Sequence, residues 1–242
     1  GIATGDFDRD GLLDMHVTNF LKEPVNLYRQ TRPGAFTDQA TRFGLYDDSV
    51  GVLGFGTQAA DFDNDGWLDL AVVNGHVFGD EDDATPFRMK PQLFQGSKQG
   101  FAFQSPEKTG APFTEATLGR CLVTLDWNQD GQMDLLATQL DRPVSLWQND
   151  SEQTKPKASA WLQIELVGTI SERDAIGARI RVTSGTETWT GYRTAGDGYM
   201  GTNEAVMHFG LGETEQVQEI EVTWPSGRKQ ILTNISVNRR VC

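Results

Sequence analysis

The chain has 242 residues and a formal net charge of −13. This acidity makes nucleic acid and anionic lipid surfaces poor partners, because both carry negative charge. No run of about 18 apolar residues occurs, so no membrane span is expected. The two cysteines, Cys121 and Cys242, do not make a disulfide framework, and the apolar strand pattern around Cys121 predicts a buried thiol.

An acidic nonapeptide with the pattern D-x-[DN]-x-D-G-x-x-D occurs three times. The copies begin at Asp6, Asp61 and Asp126, so they recur after 55 and then 65 residues. Oxygen atoms at positions 1, 3, 5 and 9, with a glycine at position 6 for the sharp turn, suit a hard cation such as Ca2+. Neighbouring carboxylates about 4 Å apart repel by about 1 kcal/mol even in water, which a bound cation would remove. The sequence therefore predicts up to three Ca2+ sites.

The candidate ligands in each loop are the side chains at positions 1, 3, 5 and 9 and the carbonyl oxygen at position 7. They are Asp6, Asp8, Asp10, Leu12 and Asp14 in the first loop, Asp61, Asp63, Asp65, Trp67 and Asp69 in the second, and Asp126, Asn128, Asp130, Gln132 and Asp134 in the third. Asn128 offers a neutral oxygen, so the third site is expected to bind more weakly at equal rigidity.

Two other kinds of structure carry acidic loops. An EF-hand needs a bidentate Glu at position 12 and flanking helices. Val17, Val72 and Ala137 stand at position 12 here, and the flanks have strand patterns, so the EF-hand is excluded. The remaining alternative is an acidic surface turn without a metal, which three copies in register disfavour.

The segments around each loop predict short strands. An apolar or glycine-rich strand precedes each loop, a second strand follows it, and a third contains a Leu-aromatic pair. A fourth strand pattern follows in the first two repeats. Four short strands in a repeat of about 40 residues or more are typical of a β-propeller blade. The prediction for residues 1–148 is therefore an all-β fold of three blades, a partial propeller.

The second repeat is longer because residues 75–91 are inserted between its second and third strands. Insertions in repeat proteins often decorate the binding face. His76 lies in this insertion, and we expect a hydrogen-bonded turn histidine there and not a ligand. The acidic run Asp80–Asp83 is expected to be a solvated loop.

The rest of the chain predicts a second domain. Residues 149–159 are polar and unpatterned, as in a linker, and residues 160–242 contain segments in which polar and apolar residues alternate. Half-buried strands of this kind predict a small β-sandwich-like fold. The run Gly196–Gly201 matches G-x-G-x-x-G but opens no helix, so we predict a turn between strands and not a dinucleotide site. No nucleophile elbow is present, and the three histidines form no sequence cluster.

The loops with their flanking strands resemble the FG-GAP/VCBS repeats of integrin-like β-propellers. The C-terminal part is similar to an ASPIC/UnbV domain, as in the cartilage acidic protein 1-like family. The second resemblance is carried by Trp161-Leu, Gly168-Thr, Arg173-Asp-Ala-Ile-Gly-Ala-Arg-Ile, Gly196-Asp-Gly-Tyr, His208-Phe-Gly-Leu-Gly and Trp224-Pro-Ser-Gly.

The resemblance implies an extracellular or cell-envelope protein whose propeller is loaded with calcium. It implies no known reaction, so the expected function is a non-enzymatic interaction or adhesion module with a protein or glycan partner at the cell surface or matrix. The alternatives are a carbohydrate-binding propeller, part of a polysaccharide-degrading enzyme, or a structural spacer. Propellers close with four to eight blades. We therefore expect a piece of a longer protein, with further blades and any signal peptide upstream.

Overall fold

The computed structural model describes residues 1–79, 86–151 and 159–242. The fold is all-β, as predicted, with three blades followed by a smaller β domain. The run Asp80–Asp83 and most of the predicted linker lie outside the described residues. Three helices of four residues each, α1 (Tyr46–Ser49), α2 (Pro106–Thr109) and α3 (Ala111–Thr114), lie in connections. No helix in the described ranges combines the length and apolar character that crossing a membrane requires.

Each blade is an antiparallel sheet whose strands follow chain order. The strands are β1 (Ile2–Gly5), β2 (Asp14–Val17), β3 (Asn26–Arg32) and β4 (Ala35–Asp38) in blade 1, β5 (Gly54–Ala60), β6 (Asp69–Asn74), β7 (Gln92–Ser97) and β8 (Gly100–Gln104) in blade 2, and β9 (Gly119–Leu125), β10 (Asp134–Gln139) and β11 (Ser145–Trp147) in blade 3. The acidic nonapeptide joins the first strand to the second in every blade. All three loops therefore lie at one end of the blades, which we call the acidic face.

Apolar clusters pack the blades together. Leu27 of blade 1 and Leu70 and Phe94 of blade 2 are at most 1% exposed within one cluster. A second cluster joins blades 2 and 3 through Val73 and Leu122, both fully buried. Burying a Leu, Val or Phe side chain contributes about 1.5–3 kcal/mol, so these clusters fix the blades side by side.

The C-terminal domain is a sandwich of two sheets. Its strands are β12 (Ala160–Glu165), β13 (Arg179–Ser184), β14 (Glu187–Tyr192), β15 (Val206–Gly212), β16 (Gln216–Thr223), β17 (Lys229–Ser236) and β18 (Arg239–Val241). The sheets have the orders β15-β12-β18 and β14-β13-β16-β17. Leu162, Ile180 and Ile220 are fully buried between them. The alternating segments that predict strands lie within residues 161–224, so β17 and β18 were not predicted. Most of their side chains are exposed and their sequences lack a regular apolar alternation.

The C-terminal domain sits on the blades. A glycine-rich segment, residues 196–204, runs along the first strands of the blades from the acidic face to their opposite end. Near the acidic face, Asn203 Oδ1 accepts the Thr124 amide at 3.0 Å. Near the opposite end, Gly198 and Ile2 exchange two backbone hydrogen bonds of 2.7 and 3.0 Å. The predicted turn at residues 196–201 is thus part of an inter-domain contact.

This contact changes the environment that the sequence predicted for Cys121. The residue is half-buried and not fully buried as predicted, and it lies beside Gly201 of the glycine-rich segment, where an added Cβ would be 2.6 Å from the Cys121 Sγ. Partial burial still raises the pKa of its thiol. Cys121 and Cys242 are both free thiols.

Candidate metal centres

The three acidic loops share one backbone conformation. Position 4 has a positive φ in every copy, 61° at Arg9, 56° at Asn64 and 59° at Gln129, and the glycine at position 6 has φ between 83° and 96°. Left-handed angles of this kind are uncommon for residues with a side chain and easy for glycine. The repeated pattern therefore specifies a repeated turn, in which the first half of the loop folds over the second.

Short acidic side chains satisfy the amides of their own turn. The carboxylate at position 1 accepts the position 6 amide in every copy, at 2.9 Å for Asp6, 2.7 Å for Asp61 and 2.9 Å for Asp126. The oxygen at position 3 accepts the position 5 amide, and the oxygen at position 5 accepts the position 7 amide. The residues at position 7 thus act as amide donors here, and the role of their carbonyl oxygens as ligands stays a prediction.

The aspartate at position 9 joins the loop to the third strand of its blade. Both oxygens of Asp14 accept backbone amides, from Phe7 at 3.1 Å and from Gln30 at 2.8 Å. Asp69 and Asp134 make the same two kinds of hydrogen bond, one to position 2 of the loop and one to the third strand or just beyond it. Position 9 therefore has a structural role whether or not a metal is bound.

Burial shifts the carboxyl groups toward the neutral form. Asp6, Asp14, Asp61, Asp69 and Asp134 are each at most 4% exposed. Desolvation raises the pKa of Asp6 to about 6 and that of Asp14 to about 7. It also raises the pKa of Asp61, Asp69 and Asp134, and neighbouring aspartates add to the shift. Buried like charges of this kind gain most from a counter-ion.

Two of the loops gather oxygen atoms closely enough for one cation. One carboxylate oxygen from each of three residues lies within 4.8 Å of the others in two groups: Asp6, Asp8 and Asp14, and Asp61, Asp63 and Asp65. In addition, Oδ1 of Asp6 is buried and accepts no hydrogen bond from the described part of the chain. Oxygen-only donors with a free buried carboxylate oxygen fit Ca2+.

The third loop differs from the other two. Over the described ranges it brings no three carboxylates into such a group. The Asn128 amide instead donates to Asp130 Oδ2 at 2.8 Å, and Gln163 of the C-terminal domain donates to Asp126 Oδ2 at 2.7 Å. The neutral Asn128 at position 3 thus donates a hydrogen bond to a loop carboxylate without any cation. This contact favours weaker metal binding at the third loop, which stays a prediction.

An arginine from the third strand lies against the first loop. The Arg29 guanidinium pairs with Asp8 and lies 3.4 Å from Asp10 Oδ2. In blade 2 the same strand position holds Gln95, whose amide donates to Asp63 Oδ2 at 2.9 Å. Arg29 could not be identified from the local sequence, because its place opposite the loop follows from the pairing of β2 with β3. Position 29 holds a charged arginine where the aligned position 95 holds a neutral glutamine. This difference is the signal that could have identified Arg29.

The C-terminal domain contacts the first loop through a tyrosine and an arginine. The Tyr192 hydroxyl donates to the Gly11 carbonyl oxygen at 2.6 Å. Arg9 at position 4 lies between two indole rings, 5.0 Å from the centroid of Trp67 and 4.8 Å from that of Trp189. One arginine thus joins the first loop, the second loop and β14.

The second loop has a histidine partner. His208 Nε2 lies 2.7 Å from Asn64 Oδ1, while the Asn64 amide donates to the Gly131 carbonyl at 3.0 Å. Asn64 Oδ1 is therefore the acceptor, and His208 carries its proton on Nε2. Burial lowers the pKa of His208 to about 4, so the ring is neutral at pH 7. A Cβ on Gly210 would collide with the Asp61 carboxylate, so the two backbones meet closely here.

The third loop is covered in the same way. Beside the Gln163 contact, the Asp126 amide donates to Glu204 Oε2 at 3.1 Å. A Cβ on Gly131 would collide with the Trp161 indole, so glycine at position 6 also serves this contact. Trp161 and His208 belong to the segments that carry the ASPIC/UnbV resemblance, but no local pattern around them indicates that they face the acidic loops.

The opposite end of the blades carries the insertion of residues 75–91. His76 Nδ1 lies 2.9 Å from the Phe78 carbonyl and 3.1 Å from the Phe78 amide, which confirms a hydrogen-bonded turn histidine. The exposed fractions are 48% for Phe20, 42% for Val77 and 74% for Phe78. Phe20 and His76 pack edge to face at 5.6 Å, so blades 1 and 2 share this exposed aromatic surface, which we call the distal face.

Comparison with known proteins agrees with the motifs. Residues 3–72 match the FG-GAP-like repeat family and residues 168–242 match the ASPIC and UnbV family. Cartilage acidic protein 1 from human is 27% identical over 254 residues, covering 98% of this chain, and the mouse protein is 28% identical over 250 residues, covering 94%. The Xenopus tropicalis protein is 26% identical over 251 residues. The chain is homologous to these proteins and spans about a third of their length, 34% in each case.

Proposed function

We propose that this chain, an FG-GAP-like repeat region joined to an ASPIC/UnbV region, is a calcium-binding interaction module of the extracellular space or cell envelope. The observation that carries the proposal is the gathering of three carboxylates within 4.8 Å in each of two loops whose first and ninth aspartates are buried. Ca2+ would neutralise these carboxylates and cross-link each hairpin. The function is non-enzymatic, with calcium in a structural role.

The charge of the chain supports a metal role for the loops. Three divalent cations would change the formal net charge from −13 to −7, since −13 + 6 = −7. Extracellular calcium modules commonly bind with Kd values of about 10⁻⁴–10⁻³ M. At 100 times such a Kd, each independent site would add about 2.7 kcal/mol to the free energy of unfolding.

The distal face is the surface we assign to a protein or glycan partner. The C-terminal domain packs against the acidic face, whereas Phe20, Val77 and Phe78 project from the other end of the blades. Exposed aromatic and aliphatic side chains that cluster on one surface are typical of interaction sites. Calcium then acts at a distance from the partner, by keeping the blades rigid.

Calorimetric titration tests the metal assignment. We expect Ca2+ to bind with at least one site per chain and Asp63→Ala to lose the site of the second loop. Asp47→Ala is the matched control, because it removes an exposed aspartate from α1, away from the loops. Absence of calcium binding by the unmodified chain at millimolar Ca2+ would overturn the proposal.

Binding of labelled protein to intact cells and to deposited extracellular matrix tests the interaction role. We expect binding that falls when Phe78→Ser is introduced and that persists in Ile231→Ser, an exposed position on β17 of the C-terminal domain. Release of reducing sugar from a polysaccharide panel would contradict the non-enzymatic role.

A further inference from the structure

The C-terminal domain meets all three acidic loops at once. Tyr192 contacts the first loop, His208 the second and Gln163 the third. These side chains come from both sheets of the sandwich, from β14, β15 and β12, so the whole domain is oriented by the loops. A domain attached only by its linker would not show one polar contact for each repeat.

Docking also removes water from the position 1 carboxylates of the second and third loops. The close approach of Gly210 to Asp61 leaves no space for a side chain or for water between them. Asp61 and Asp126 are 4% and 6% exposed in the docked arrangement. The contact that the domain gives Asp126 is a neutral amide, so it does not supply the missing positive charge.

Desolvating a carboxylate without a cation is costly, whereas a carboxylate bound to a cation has already exchanged its water. The docked domain should therefore bind the metal-loaded loops better than the metal-free loops. Any preference of this kind is reciprocal, because the domain must then raise the affinity of the loops for the metal by the same factor.

We propose that the C-terminal domain is a calcium-dependent clamp on the acidic face, such that Ca2+ binding and domain docking stabilise each other. The proposal rests on the proposed calcium binding and adds its regulation. Loss of calcium would release the clamp and withdraw residues 196–204 from the first strands of the blades. Gln163 is a positioning residue in this device, since it contacts Asp126 and not the metal.

The test is cleavage of the intact chain between its two parts. Residues 153–158 are replaced by a protease recognition sequence, the folded protein is cut, and the products are separated by size-exclusion chromatography. In 5 mM Ca2+, about five to fifty times a typical extracellular Kd, we expect the two parts to elute together. After calcium is removed with a chelator, we expect them to elute separately.

Each result supports or contradicts a specific proposal. If the parts stay together with and without calcium, or separate in both, while calorimetry of the uncut chain still shows Ca2+ binding, the clamp is overturned and the calcium-binding proposal stands. If calorimetry shows no Ca2+ binding, both proposals fall.

A second measurement uses the reciprocal effect and needs no cleavage. Gln163→Ala should weaken Ca2+ binding at the third loop by about fivefold or more, the lower end of typical coupling between sites. Gln230→Ala is the matched control on the exposed face of β17, and its Ca2+ affinities should equal those of the unmodified chain. Equal affinities for Gln163→Ala and Gln230→Ala would contradict the clamp.

Discussion

At the scale of single residues, the positions within a loop have different tasks. Asp69 at position 9 is 3% exposed and accepts two backbone amides, from Phe62 at 3.0 Å and from Gly96 at 2.7 Å. Asp63 at position 3 is more exposed and accepts one loop amide and the Gln95 side chain. Only position 9 holds two strands together, so its loss should destabilise the fold with or without metal.

We therefore expect Asp69→Ala to lower the free energy of unfolding by about 3 kcal/mol or more even in chelator, because two buried amides lose their acceptor. Asp63→Ala should change stability by less than about 1 kcal/mol in chelator and should lower it in Ca2+. Denaturant unfolding of both variants with and without Ca2+ measures this difference. Equal losses for the two variants in chelator would show that position 9 has no separate structural role.

Arg29 gives the first loop a cation of its own. Its guanidinium pairs with Asp8 and lies near Asp10, at two of the predicted ligands. A resident cation competes with a bound one, so we expect Arg29→Gln, which copies Gln95 of blade 2, to raise the Ca2+ affinity of the first loop about tenfold. Calorimetry of Arg29→Gln beside Arg32→Gln, at an exposed position of the same strand, measures the change. Unchanged affinity would mean that Arg29 moves aside at no cost.

At the scale of elements, the glycine-rich segment approaches strand β5 so closely that a side chain at Gly198 would collide with it. Gly198 has φ of 71°, and a Cβ there would lie 2.6 Å from Gln58 Nε2 and 2.9 Å from the Thr57 carbonyl oxygen. Gly185 has φ of 59° in the β13–β14 turn, with open space around its Cβ position. The two glycines share a left-handed conformation and differ in what surrounds them.

We expect Gly198→Ala to lower the free energy of unfolding by about 2 kcal/mol more than Gly185→Ala does. Both variants carry the strain of an alanine at positive φ, and only the first collides with β5. Thermal melting of the two variants measures the difference. Equal melting temperatures would show that residues 196–204 do not press on the strands as described.

The sequence predicts the elements whose partners are close along the chain. The loop turn, the strands on either side of it and the exclusion of an EF-hand follow from a nonapeptide that occurs three times and from the residues that flank each copy. The strand β17 was missed because its side chains are mostly exposed and its pairing with β16 is what defines it. The contacts of His208 and Gln163 with the loops were missed for a related reason, since they join positions 144 and 37 residues apart and leave no local pattern.

At the scale of the whole molecule, the buried carboxylates make stability depend on pH. The pKa of Asp6 is raised to about 6 and that of Asp14 to about 7, and burial also raises the pKa of Asp61 and Asp69. In the unfolded chain an aspartate titrates near pH 4. Between about pH 4 and 7 these aspartates therefore bind more protons in the folded metal-free chain than in the unfolded chain, which makes stability fall as the pH rises. The buried His16 and His208, whose pKa values are lowered, act in the opposite direction and offset part of this fall, but they are fewer than the aspartates.

Calcium should reverse this dependence. A bound cation holds the loop carboxylates ionised, so the folded chain then binds fewer protons than the unfolded chain, and its stability falls as the pH drops. We expect the melting temperature of metal-free protein to decrease from pH 4 to pH 7, and that of protein in saturating Ca2+ to increase over the same range. At pH 7 the two should differ by about 5–10 °C for each occupied site. Melting curves at four pH values, with and without Ca2+, measure both slopes, and slopes of the same sign would mean that these carboxylates do not hold the metal.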